Sequence, residues 1–146
     1  MTNQRPELDR LVEAAKGLAH PARLRLLGML SSGELCVCQM TAVLGLAPST
    51  VSQHLSVLSR GGLLADRKEG KLVFYRLDEG PIASAFLPPL LALLAGDSQS
   101  KADRALVGRL RRVPVPELCA ADLDLVAVGV AGRRTAESRA CGQRGR

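Results

Sequence analysis

Two amphipathic segments separated by only Gly45-Leu46-Ala47 constrain this chain more than any other feature. Val37 to Leu44 carries Met40, Val43 and Leu44 at helical spacing. Beyond the turn, Ser49 to Arg60 carries Val51, Leu55 and Leu58 at i, i+4 and i+7, which makes one apolar stripe. Pro48 suits the first position of the second helix, where no backbone donor is needed. Two helices joined by so short a Gly-containing turn have the helix-turn-helix pattern. Ser49, Thr50, Ser52, Gln53, Ser56 and Arg60 are polar residues of the second helix read as its outer side, and His54 flanks its stripe. Such a face suits a major groove, where side chains read base edges while hydroxyls and cations hold phosphates. A solvated helix surface accounts for these residues equally well when they are taken alone. The neighbouring segments tip the balance.

Gly61-Gly62 stops the helix. Leu63 to Lys68 and Leu72 to Leu77 then flank Glu69-Gly70-Lys71, which predicts a β-hairpin. Arg67, Lys68, Lys71 and Arg76 give that hairpin a basic face fit to grip phosphates beside the groove. Upstream, Glu7–Ala19 keeps a helical apolar period, and a second helix follows His20-Pro21. Pro81 to Leu94 is nearly all apolar, too short to span a bilayer and too apolar for a surface helix of a small domain. It reads as a subunit interface, interrupted or kinked at Pro88-Pro89. The predicted fold class is α+β, mainly α: a winged helix-turn-helix over residues 1–96. Residues 97–146 are expected to form a partly disordered extension. Within it, Lys101 to Arg112 reads as a polar helix, Val113 to Pro116 as an extended spacer, Leu118 to Val130 as a short helix or strand, and the Arg/Gly-rich stretch from Gly132 as disorder.

Composition narrows the partners. The formal charge is +6, and Phe74, Tyr75 and Phe86 are the whole aromatic set. The charge favours a polyanion, while so few rings argue against base-stacking platforms for single strands or RNA loops. The first residues lack the apolar core of a signal peptide, so the expected location is the cytoplasm, with no membrane partner. Thiols stay reduced there, so the four cysteines are expected to be ligands, redox groups or bystanders. No phosphate-binding glycine loop or Ser/His/Asp set is evident, and no catalytic residue or catalytic cofactor is assigned; an enzyme is not expected.

The run G-E-L-C-V-C-Q-M, the segment S-T-V-S-Q-H-L-S-V-L and the run G-L-L-A-D-R-K-E-G-K-L-V-F-Y-R-L together resemble the ArsR/SmtB metalloregulators, in particular the ArsR arsenical-resistance repressors. The likeness covers about residues 7–95. It implies a homodimeric winged-helix repressor on an inverted-repeat operator of double-stranded DNA, released when a toxic metal or metalloid binds. It also implies N- and C-terminal dimerisation helices, here Glu7–Ala19 and Pro81–Leu94. Where the resemblance places a third cysteine after the Cys-Val-Cys pair, this chain has Thr41.

Thiolates select soft or thiophilic ions, so Cys36 and Cys38 are candidate ligands for As(III), Sb(III) or an organoarsenical as inducer. At a helix N-terminus their pKa values are expected to be lowered. At i and i+2 they diverge on a regular helix, so one ion holds both only if the first turn opens, which would strain the helix-turn-helix. Inorganic As(III) prefers a third thiolate, for which Cys119 is a better candidate than Cys141, read as a surface thiol. The simplest alternative makes Cys36 and Cys38 small buried hydrophobes. Two further readings keep the scaffold: another soft ion, Cd(II), Pb(II) or Cu(I), or a thiol redox switch.

Overall fold

The computed structural model describes residues 7–130; the predicted disorder after Gly132 and the free thiol expected at Cys141 lie outside the described residues. The order is α1 (Glu7–Leu18), α2 (Pro21–Leu30), β1 (Leu35–Cys36), α3 (Val37–Leu44), α4 (Pro48–Arg60), β2 (Leu64–Glu69), β3 (Leu72–Leu77), α5 (Pro81–Ala95), α6 (Ser98–Leu110) and α7 (Val115–Ala120). This is the winged helix-turn-helix expected, with one added strand. The antiparallel sheet runs β1-β3-β2, with Cys36 opposite Phe74 and Arg67 opposite Phe74 on the other side. Glu69 pairs with Leu72, so Gly70-Lys71 is a two-residue turn. Gly70 alone of the two has positive φ, at 61°, as a type II′ hairpin turn requires.

Between α3 and α4, Gly45 takes φ 67° and donates its N–H to the Thr41 carbonyl, closing α3 in the left-handed conformation that glycine adopts without Cβ strain. The stripe Val51, Leu55 and Leu58 then meets Leu26, Leu27, Met29, Met40 and Val43 in one core. The predicted side of α4 is the buried one.

α1 packs through Ala14 and Gly17, its buried residues. Its larger apolar side chains stay outside: Leu8 is 71% exposed and Val12 43%. α5 buries only Ile82, Ala83 and Leu87, while Leu93 is 78% exposed. Pro88-Pro89 does not interrupt α5, which runs unbroken from Pro81 to Ala95. Among the described residues, no single helix is long and apolar enough to cross a membrane.

The polar helix expected at Lys101–Arg112 begins earlier, at Ser98, ends at Leu110, and is more buried than its charges suggest. α6 is capped by Asp97, whose Oδ2 accepts from the Ser100 N–H at 2.8 Å, and it buries Leu106, Val107 and Leu110. Arg25 of α2 donates Nε and Nη2 to Asp103 at 2.8 and 2.9 Å, and Gln99 adds a third bond at 2.9 Å. Asp103 is 2% exposed. A buried carboxylate is tolerable only with such pairing, and a forked Arg is the strongest available. The expected extended spacer is short: Pro114 already serves as N-cap of α7, whose Leu118 is 1% exposed. The stretch left open between helix and strand therefore begins as helix and continues in turns. α6 and α7 both lie against α3.

Candidate nucleic-acid interface and thiol site

The core stripe of α4 fixes its opposite face in solvent: Ser49, Ser52, Gln53, Ser56 and Arg60 are exposed, and Thr50 is half-buried. His54 differs from them. Its ring packs on that of His20, centroids 4.4 Å apart, and its Nδ1 lies 3.4 Å from Nη1 of Arg23. Burial first, then the charges of His20 and Arg23, lowers its pKa. Arg23 meanwhile donates to the Gly17 and Lys16 carbonyls at 2.9 Å, satisfying the end of α1. The His54 cluster thus stitches α1, α2 and α4 together, behind the exposed polar row of α4.

On the wing, Lys68, Lys71 and Arg76 are exposed, and among the described residues none of them forms an ion pair. Arg67 is already engaged. It forks onto Glu34 at 2.6 to 3.0 Å, reaches Glu69 at 3.0 Å and lies 4.5 Å above the Phe74 ring. Its bond to Glu34 is the main cause of that carboxyl's lowered pKa. The groups stand in solvent, so the contact orders the wing rather than stabilising the fold strongly. Glu34 is held from behind as well, since Arg111 donates to its carbonyl at 3.1 Å and to Ser32 Oγ at 3.3 Å. Neither Glu34 nor Arg111 carries a sequence signal for this role; their link spans 77 residues.

Two residues beyond Glu34, Cys36 is the N-cap of α3 and 1% exposed. Its N–H donates to Gln39 Oε1 at 2.9 Å. Cys38 is half-buried, and the Cys119 thiol donates to its sulfur at 3.0 Å. α7, anchored by Leu118, delivers that thiol within the same chain. Thr41 is buried, its hydroxyl committed to the Val37 carbonyl at 2.7 Å. The expectation that the helix start lowers both thiols fails at Cys38. Burial, then the neighbouring Cys119 and Cys36, pushes its pKa up to about 12. Desolvation and two adjacent thiols outweigh the helix dipole. Cys38 and Cys119 are thus gathered. Cys36 stays in the core, and among the described residues no three His, Cys, Asp or Glu side chains converge as a metal site.

An ion holding each sulfur at about 2.3 Å bridges a pair separated by up to about 4.6 Å, so Cys38 and Cys119 fit a bridging thiophilic ion. Cys36 is the extended N-cap and not a residue of the helix, so the divergence expected on a regular helix does not arise: its thiol neighbours that of Cys38, and a third bond requires it to leave the core.

Residues 20–66 match the family described as "Bacterial regulatory protein, arsR family". The chain is 37% identical over 93 residues to the arsenic resistance transcriptional regulator ArsR2 of Pseudomonas putida, covering 62% of this chain and 79% of that one. It is 46% identical over 68 residues to the biofilm growth-associated repressor of Agrobacterium fabrum, covering 47% of this chain and 58% of that relative's length. The homodimeric winged helix-turn-helix DNA-binding domain Mb0332 of Mycobacterium bovis superposes with TM-score 0.52 at 31% identity, covering 65% of this chain and 90% of that one.

Proposed function

The chain belongs to the ArsR family of transcriptional regulators, which are not enzymes, and from that premise we propose that it is a homodimeric repressor released from operator DNA by trivalent arsenic or antimony. The single observation that carries the reading is the 3.0 Å contact between Cys38 and Cys119, two thiols 81 residues apart in sequence. Thiophilic ions suit sulfur sets of this kind. As(III) as As(OH)3 condenses with thiols, each As–O bond replaced by As–S and each hydroxyl leaving as water. Two such exchanges use Cys38 and Cys119. The third draws Cys36 out of the core and loosens the first turn of α3, which positions α4. Glu34, two residues before Cys36, passes the same disturbance to the wing through Arg67. The binding change is local and the readout is DNA affinity.

The test is release from an operator recovered by in vitro selection from random duplexes. Inorganic As(III), Sb(III), Cd(II), Pb(II), Cu(I) and peroxide are compared in parallel. Release by As(III) and Sb(III) at concentrations where Cd(II), Pb(II) and Cu(I) do nothing is expected; the reverse order ends the arsenic reading.

The same sulfur contact favours a second reading. Peroxide can oxidise Cys38 and Cys119 to a disulfide, two thiols giving two electrons and two protons while peroxide becomes two waters. Mass analysis of the non-reduced protein distinguishes them: release by peroxide accompanied by loss of two hydrogens supports the redox switch.

Two predictions address the DNA and the partner copy. Lys68→Ala with Lys71→Ala is expected to weaken binding to all duplexes and to reduce the salt slope by about one to two. Gln53→Ala is expected to relax preference at particular base pairs, by roughly 1–3 kcal/mol. Exposed Leu8 and Leu93 lie on α1 and α5, the helices proposed to meet a second copy. Leu8→Glu with Leu93→Glu is expected to give a monomer by light scattering with little operator affinity, since one half-site makes too few contacts. A double variant that remains a dimer removes α1 and α5 from the interface.

A further inference from the structure

The first turn of α3 forms one wall of a cavity of about 260 Å3 that opens between the thiols, α4 and the wing. Cys36, Val37 and Cys38 line it on one side, and Leu72, Val73 and Tyr75 of β3 line it on the other. We propose that this cavity takes the organic group of a monosubstituted trivalent arsenical, R–As(OH)2 with R an aryl ring, while Cys38 and a second thiol hold the arsenic. The proposal rests on the arsenic-sensing reading above and names its ligand class.

The thiol arrangement points this way first. An arsenic carrying one carbon has two exchangeable hydroxyls and so needs two sulfurs, the number the structure gathers at Cys38 and Cys119. At the position where a third cysteine is expected, the Thr41 hydroxyl is bonded inside its own helix. Two As–S bonds form and two As–O bonds break. Each thiol proton leaves with a hydroxyl as water, and arsenic remains trivalent throughout. The As–C bond is untouched, so the organic group must be accommodated close to the sulfur that holds the arsenic.

The cavity supplies that place because Cys38 is part of its wall. Val37, Leu72 and Val73 give it apolar surface, and all three are half-buried rather than sealed in the core. Tyr75, also half-buried, offers a ring for an edge or offset contact with another ring. A cavity of about 150 Å3 is enough for benzene, so a phenyl group fits with room to spare. Only Ser52 and Lys71 among the lining residues are exposed. Both are candidate DNA contacts, one from α4 and one from the wing. A ring seated here therefore wedges the two elements that must act together on the duplex, obstructing the DNA face without the third bond that inorganic As(III) makes to Cys36.

The chain contains one tyrosine and no tryptophan, so Tyr75 is a built-in reporter of the cavity. The full chain is titrated with phenyl-As(III), methyl-As(III) and inorganic As(III), following ligand stoichiometry by native mass spectrometry and the Tyr75 ring by fluorescence and NMR. Phenyl-As(III) is expected to bind about tenfold or more tightly than methyl-As(III), from the extra apolar area covered. Its ring protons are expected to show direct NMR contacts with Tyr75 and the Val73 methyls. Val73→Phe, which fills the cavity, is expected to bring phenyl-As(III) down to the affinity of methyl-As(III) while inorganic As(III) still binds. Equal binding of the phenyl and methyl compounds by the natural chain overturns the proposal and leaves the arsenic reading standing. So does a phenyl advantage that survives Val73→Phe with no contact to Tyr75. Binding of none of the three compounds overturns both.

Discussion

Cys38→Ser is expected to abolish release by every arsenical and by Sb(III) while leaving operator affinity nearly unchanged. Among the described residues Cys38 is the sulfur placed beside two others, in contact with Cys119 and adjacent in space to Cys36. Removing it takes away the sulfur that each of the other two contacts, so neither of those contacts is left to hold one ion. Chelation makes the second bond intramolecular and commonly strengthens binding by about 10²–10⁴-fold, and that factor is what the variant forfeits. Serine keeps the size and a polar tip at the second position of α3, away from the exposed α4 row proposed to meet DNA, which is why DNA binding is expected to survive. Cys119→Ser is expected to lose the response to inorganic As(III) nearly as completely. Cys36→Ser is expected to keep As(III) bound, because the first two sulfurs can still close on the ion, but to lose release, because no third bond then pulls on the start of α3. The measurement is operator release against As(III) in the three variants. An undiminished response in Cys38→Ser shows that the site lies elsewhere in the chain.

The second large effect is on folding. Asp103→Ala is expected to lower stability by about 3 kcal/mol, because breaking a buried ion pair leaves the partner's charge unpaired. Arg25 is 28% exposed in its side chain, which places the loss at the lower end of that range. The melting temperature should fall by roughly 10 °C. α6 is pinned to α2 at Asp103, and α7 follows α6, so the same variant should also bind As(III) less tightly by releasing Cys119. Replacing both partners, Arg25→Met with Asp103→Leu, is expected to recover most of the stability, since two packed apolar groups replace a paired charge at little cost. A loss below about 1 kcal/mol in Asp103→Ala would show that this pair behaves as a surface contact.

The α4 stripe, the Gly45 turn and the Gly70 hairpin were legible because each rests on local rules: helical period, glycine at positive φ, apolar runs around a two-residue turn. β1 was not, since two residues are too few to show any period. α6 read as polar because its charged residues outnumber Leu106, Val107 and Leu110, and no local rule says that Asp103 will find Arg25 across 78 residues. Arg67 was read as a free cation of the wing for the same reason: Glu34, which engages it, is 33 residues away. Cys119 was named as a third ligand from its chemistry and an apolar neighbourhood. Its placement beside Cys38 depends on how α6 and α7 fold back, which only tertiary packing decides. The direction of the Cys38 pKa went astray in an instructive way. The helix dipole is visible in sequence, whereas burial and neighbouring thiols are not.

The contact between α7 and α3 lies within one chain, and this bears on how a sensing-defective allele behaves beside a normal one. On the proposed site and dimer, each subunit carries its own Cys38–Cys119 pair, so a mixed dimer of natural and Cys38→Ser chains contains one responsive half and one deaf half. If one occupied subunit is enough to break the hold on paired half-sites, the defect is recessive. If both must be occupied, the deaf subunit keeps the operator closed and the defect is dominant. Co-expression of the two alleles thus counts how many inducer molecules are needed to open one promoter.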